Sequence, residues 1–373
     1  MILISRRIDR IIFKERFLSM NNGDKRRNRK RERSSRRYKV RYDRLVAVVL
    51  VLVVLAVVLA SCAHACSDKD KNKNSATNKQ TTNSSTTGQQ DSSIIDDLTT
   101  SSETGSLISG TADGLKPSEP QYQKESFKQE DIYSGDLVLV NAEHEYKFPE
   151  DDIELIDLYD NIADEPFHVA DLSQKLDKPV LEQLTALMRS FYEAENSKEL
   201  YVIGTYRKFG DQEDVYYSGN SQFQPGYSDY HTGRSLDLAI VPSDGSSSGY
   251  YSPRGIYGYV DEHAAEYGFI LRFPEGKESF TGERSRTYTY RYVGVPHAVY
   301  IKQNNLCLEE YIDVLREHTN ENPIEVSTGK KLYQIYYVPA NKTGDTEVPV
   351  PSNKTYDVSG NNVDGFIVTV SMN

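Results

Sequence analysis

The chain has 373 residues and a formal net charge of −11, with 44 Lys and Arg against 55 Asp and Glu, three cysteines and no tryptophan. The charge is unevenly placed: residues 1–44 hold 17 Lys or Arg and 5 Asp or Glu, a balance of +12, which leaves −23 on residues 45–373. A basic head before an acidic body suits either nucleic-acid binding or a membrane topology signal, and with Cys307 alone beyond residue 66 the body holds no internal disulfide, so its stability must come from an apolar core.

The basic head, residues 1–44, leads into LVAVVLVLVVLAVVLA at 45–60, where no side chain is polar. As a helix this run spans about 24 Å, short for a full membrane crossing and suited to the core of a signal peptide. Positive residues ahead of an apolar segment stay on the cytoplasmic side, so the rest of the chain is expected to be extracytoplasmic and the head to be a topology signal rather than a nucleic-acid arm. Leu59-Ala60-Ser61-Cys62 resembles a bacterial lipobox, which would make Cys62 the lipidated first residue of a membrane-anchored lipoprotein. Lipid anchoring is the expected outcome; Ala63-His64-Ala65 as an ordinary secretory cleavage site and residues 45–66 as an uncut anchor are the alternatives, and all three place the body outside the membrane. Residues 67–130 are rich in Ser, Thr, Asn, Asp, Lys and Gln. They offer too little apolar surface to offset the entropy of ordering and are predicted to be a disordered linker.

From residue 131 the composition changes. Ile132 to Val140 and Ile153 to Leu158 are short apolar segments of strand or turn type. Val180, Leu181, Leu184, Leu187, Met188, Phe191 and Tyr192 recur at helical spacing behind Pro179, which predicts a helix over 179–195. A strand is predicted at 201–203, a helix at 255–266 closed by Gly268, strands at 290–301, and a helix at 307–318 with Cys307 as a buried apolar group. Strands are expected again near 331–338 and 364–371. The elements do not alternate in regular βαβ fashion, so the expected fold is α+β, a small antiparallel sheet with packed helices. Residues 131–325 are taken as the main domain and 326–373 as a C-terminal β extension.

GYSDYHTGRSLDL, residues 226–238, gathers Ser228, Tyr230, His231 and Asp237 just ahead of the apolar run ending at Val241, a loop feeding a buried strand. A buried carboxylate needs a partner, and a hydrogen-bonded turn would satisfy Asp237 as well as a functional site would. The stretch resembles the loop of VanY-type D-alanyl-D-alanine carboxypeptidases, Gly-Tyr-Ser-x-His-x-x-Gly-x-x-x-Asp. Gly226, Tyr227, Ser228, Gly233 and Asp237 fall on that pattern, Tyr230 stands where the family has a zinc-binding His, and His231 comes one residue late. GTYRKFGDQ (204–212), YGFILRFPEGKESFTGE (267–283) and RYVGVPHA (291–298) extend the resemblance over roughly 136–320 in the family's order.

The resemblance implies a zinc peptidase fold with three metal ligands and a carboxylate base. Aligned through Arg291-Tyr292-Val293-Gly294, Tyr288 stands at the family's Trp, Thr289 at its second ligand His and Arg286 at its base Glu. Of the four metal and base positions only Asp237 is kept. The first expectation is therefore a domain without zinc, cofactor or catalytic residue that binds peptidoglycan stem peptide, or a wall-associated protein, through Arg207, Gln212, Ser228 and Asp237. The family assigns Arg207 and Ser228 to the peptide's terminal carboxylate, a role for which an Arg fork is suited. Pairing of Arg207 with Asp237 or Asp211, and an exposed Gln212, are the structural alternatives. The second expectation is an active D-Ala-D-Ala carboxypeptidase with zinc rebuilt around His231, Asp237 and His297, against which stands the reversal of side-chain direction that a one-residue shift causes in extended chain. The third is a surface protein that presents its loops to another protein. Tyr230, Tyr288 and Tyr290 are candidates either to fill the metal's place or to line a groove.

Overall fold

The computed structural model describes residues 118–149 and 154–373. The basic head, the apolar run, Cys62 and most of the predicted linker lie outside the described residues. The linker was expected to run to residue 130, but Tyr122–Phe127 forms strand β1. A 3-10 turn at Gln129–Tyr133 follows, and Leu137 to Val140 are buried as irregular chain rather than strand.

β2 (Leu155–Asp157) runs into the single turn α1 (Leu158–Asn161); β3 (His168–Val169) and β4 (Lys175–Asp177) follow, β4 pairing antiparallel with β2. α2 (Lys178–Glu195) is the predicted helix. Pro179 sits in its first turn, where a missing N–H costs nothing, and Asn196 ends it in the left-handed region at φ 51°. Its buried stripe is the one read from the sequence, from Val180 to Phe191.

β5 (Leu200–Gly204), α3 (Phe209–Tyr217), β6 (Ser235–Ile240), β7 (Gly249–Tyr250), α4 (Gly258–His263), β8 (Phe269–Phe273), α5 (Glu278–Thr281) and β9 (Arg286–Tyr292) complete the central region. The main sheet has the order β3-β5-β6-β9-β8, with β7 added on β6, and only the β3–β5 pair is parallel. Leu236, Leu238, Phe269 and Tyr290 share one core with the apolar stripe of α2. Burying these side chains contributes on the order of 2 kcal/mol each.

Residues 295–301, predicted as strand, are helical instead. Gly294 turns the chain at φ 84°, and Pro296 lies in the first turn of α6 (Val295–Gln303), the place where a helix accepts proline. α7 (Leu308–Leu315) starts behind Cys307, which is fully buried and whose backbone N–H bonds Glu310.

β10 (Ile324–Ser327), β11 (Leu332–Pro339), β12 (Thr346–Pro351), β13 (Tyr356–Gly360) and β14 (Gly365–Ser371) close the chain. An antiparallel sheet runs β10-β11-β14-β13, while β12 pairs with β1. β14 is apolar almost throughout because both its faces are covered: Ile367 joins the core around α6 and α7, and Phe366, Val368 and Val370 join another with Val348 and Val350. The boundary drawn at 325/326 therefore cuts through β10. The architecture is α+β, as expected, and no described helix is long and apolar enough to cross a membrane.

Candidate functional site

Tyr227 to Gly233 form a knot. A 3-10 turn spans Asp229–Thr232, and Gly233 closes it at φ 69°, a conformation that side chains disfavour. The Thr232 hydroxyl donates to the Asp229 carbonyl, and the Tyr146 N–H donates to the Gly226 carbonyl. At the centre lies His231, fully buried. Its Nδ1 is 2.7 Å from the Arg207 carbonyl, so Nδ1 carries the proton, and its Nε2 accepts the Gly226 N–H at 3.1 Å. Burial holds this imidazole below its ordinary pKa, which keeps it neutral. The histidine thus staples the loop to the segment between β5 and α3, and neither ring nitrogen is left for a metal.

Asp237 enters on β6 directly opposite Thr289 on β9. Its Oδ1 accepts two hydroxyls, Tyr230 Oη at 2.7 Å and Thr289 Oγ1 at 2.7 Å. Burial pushes the carboxyl up; the two hydrogen bonds and the nearby Arg207 and Arg286 guanidinia pull it down without cancelling the rise. The Tyr230 ring carries Arg207 on its face, with Cζ 4.3 Å from the ring centroid. Edge-on at 6.1 Å from Tyr230 lies Phe223, which stacks on Phe273 at 5.6 Å, and the Arg286 guanidinium covers both phenylalanines at 4.6 and 5.2 Å. A register shift between Leu271 and Phe273 sets Arg286 opposite Phe273 and so lets it reach this stack. Arg286 also pairs with Glu283 at 3.3 Å.

Arg207 is half-buried and donates to Gln212 Oε1 at 3.1 Å. The expected alternative, an ion pair with Asp237 or Asp211, does not form within 4 Å. Gln212 is fully buried, not exposed. Its amide nitrogen bonds Ser221 Oγ and the Phe223 carbonyl, so its visible work is to orient Arg207 rather than to hold a peptide. Ser228 Oγ, on a fully buried residue, has no hydrogen-bond partner among the described residues.

The remaining candidates are dispersed. His297 lies in the core around α6 and α7, with Nδ1 2.7 Å from Tyr311 Oη and Nε2 2.9 Å from Thr369 Oγ1. Burial lowers its pKa to about 4. Tyr290 packs in the core under α2, and Tyr288 stacks on Tyr250 at 4.3 Å, so of the three tyrosines Tyr230 alone caps Asp237.

Sequence reasoning missed the charges beneath the loop. Asp229 is bonded by Arg291 at 2.7 Å and by the Ser235 hydroxyl, and lies 3.4 Å from Arg272. Arg272 in turn grips Glu309 with two nitrogens, and both arginines are fully buried. An arginine inside the apolar strand FILRF was the available signal. A cavity of about 120 Å³ borders this region, walled by Phe223, Phe273, Tyr227, Asp229 and Glu283. It shares Phe223 and Phe273 with the stack but is not lined by Arg207, Ser228 or Asp237.

Comparison with solved structures places the fold first. A vancomycin-resistance D,D-dipeptidase, VanXYg, solved in complex with a D-Ala-D-Ala phosphinate analogue, is 25% identical and superposes with a TM-score of 0.57, over 67% of this chain and 99% of that one. The VanY family, described as D-alanyl-D-alanine carboxypeptidase, matches residues 173–295. A D-alanyl-D-alanine carboxypeptidase of Enterococcus faecium is 32% identical over 252 residues, 66% of this chain and 79% of that protein. One from Enterococcus faecalis is 36% identical over 89 residues, 24% of this chain and 31% of that protein. The chain belongs to the VanY family of D-alanyl-D-alanine carboxypeptidases.

The family's zinc does not fit these residues. Among the described residues no three His, Cys, Asp or Glu side chains gather where they could hold a metal ion. His231 and His297 spend both ring nitrogens elsewhere and do not meet. Asp237, the retained ligand position, already has Oδ1 capped by two hydroxyls. The guanidinium at Arg286 stays protonated and brings a positive charge toward the place where a dication would sit.

Proposed function

We propose that this VanY-family protein binds the carboxylate-terminated stem peptide of peptidoglycan without hydrolysing it. The observation that carries this reading is the capping of a single Asp237 oxygen by Tyr230 and Thr289, with the Arg207 and Arg286 guanidinia near enough to act on the carboxyl. No group there can activate water: both hydroxyls are engaged, His231 is committed to the backbone, and both cations are guanidinia. The peptide-holding positions of the family persist. Arg207 has no carboxylate within 4 Å among the described residues and matches one by its fork of donors, and Ser228 offers a buried hydroxyl without a partner. We further place the domain outside the cytoplasmic membrane, tethered by residues 45–66 with Cys62 as the lipidated residue, on the strength of the basic head and the apolar run alone.

The relatives favour a second reading, since those of Enterococcus faecium and Enterococcus faecalis are named as D-alanyl-D-alanine carboxypeptidases. One experiment separates the two. The full chain is incubated with a peptide ending in D-Ala-D-Ala, with and without added zinc, and released D-Ala and bound metal are measured. Binding with no D-Ala and no stoichiometric zinc is the expected result. Release of D-Ala that needs bound zinc and is abolished by Asp237→Ala would establish hydrolysis instead. Failure to enrich on purified cell wall would favour a role in presenting loops to another protein.

A further inference from the structure

Tyr230 stands where the family places a metal ligand, and its side chain instead makes two contacts, one through its hydroxyl and one through its ring face. Its hydroxyl donates to Asp237 at 2.7 Å, and its ring face supports the Arg207 guanidinium at 4.3 Å. The ring is 2% exposed, so it has no freedom to swing away. Arg207 is held from a second direction by Gln212, whose amide is anchored on Ser221 and Phe223, and its backbone carbonyl is bonded by His231. A long flexible side chain is thereby held from two directions on a backbone that is itself pinned, while its charge meets no carboxylate within 4 Å among the described residues.

We infer that Tyr230 is a positioning residue for ligand binding: with its hydroxyl moored on Asp237, its ring holds the Arg207 guanidinium in the plane that receives a peptide's terminal carboxylate. This rests on the reading of the site as a carboxylate-binding one. The Asp237 carboxylate acts through Tyr230 as the mooring point. The guanidinium gains from the ring quadrupole and loses less rotamer freedom when it captures the anion, and both effects act on affinity.

The test is titration calorimetry of the full chain with two synthetic peptides, one ending in D-Ala-D-Ala with a free carboxylate and the other with a terminal amide. The wild type is expected to prefer the free acid. Tyr230→Leu, which removes both ring and hydroxyl, should weaken binding of the acid about tenfold while leaving binding of the amide unchanged. Tyr230→Phe keeps the ring but loses the bond to Asp237, and should show a preference for the acid between those of the wild type and the leucine variant. Should the leucine variant not fold, as judged by its near-ultraviolet circular dichroism, Tyr230→Met replaces it with closer volume and the same expectation. A wild type that prefers the acid, with a leucine or methionine variant that keeps the full preference, overturns the positioning role alone. Equal loss for both peptides overturns it too, because that is the signature of a general collapse of the pocket. A wild type that does not distinguish the two peptides overturns the carboxylate reading itself.

Discussion

Asp237 shows how a carboxylate survives inside a sheet without a cation in contact: two hydroxyls share one of its oxygens, and two guanidinia act from farther away. Thr289→Val removes one of these bonds at nearly constant volume and leaves Tyr230 in place. It should lower stability by about 1 kcal/mol in urea unfolding at neutral pH. His297 titrates the opposite core. Burial brings it from an ordinary 6.5 to about 4 in the fold. As pH falls, the unfolded chain takes up the proton first, so its contribution is complete above about 6.5 and is lost as pH drops toward 4. The shift corresponds to about 3 kcal/mol at the acid end of that window. Urea midpoints between pH 7 and 4 check this, and a flat profile would contradict it.

Pieces of secondary structure differ in how plainly they were written. α2 could be read because one stripe at helical spacing and a proline at its start agree, and the structure adds a left-handed Asn at its end. α6 was misread as strand because VPHAVYI is rich in strand-forming residues, and only the turn at Gly294 commits it to helix. β1 could not be found at all: its ladder partner runs from Thr346 to Pro351, at the other end of the chain, and its own side chains are mostly exposed. The 3-10 turn at 129–133 is held against β13 where Gly360 lets the Ile132 carbonyl come within reach of its Cα, so a Cβ there would collide with backbone. Gly360→Ala should therefore cost about 1–3 kcal/mol, seen as a lower melting temperature.

The buried ion network ties the separate parts together. Asp229 comes from the loop, Arg272 from β8, Arg291 from β9 and Glu309 from α7, and the carbonyls of Asp136, Val138 and Val140 complete the arginines' bonding. Burial raises the Glu309 carboxyl, but Arg272 overrides this and leaves it below the ordinary range. Glu309→Ala would strand Arg272 without most of its counter-charge and should destabilise the protein by about 3–5 kcal/mol in denaturant unfolding.

Local composition and periodicity alone determined the α+β class and the main helix, and the resemblance to the family's motifs marked the departures at Tyr230, Arg286 and Thr289, because each of these depends on which residue stands at a position or on its near neighbours. The uses of His231, Gln212, Arg272 and the strand at 122–127 were decided only in three dimensions. A hydrogen bond or an ion pair is set by which segments the fold brings within about 3 Å of each other, and here the separations run from 5 residues between Arg207 and Gln212 to 229 between Tyr122 and Pro351.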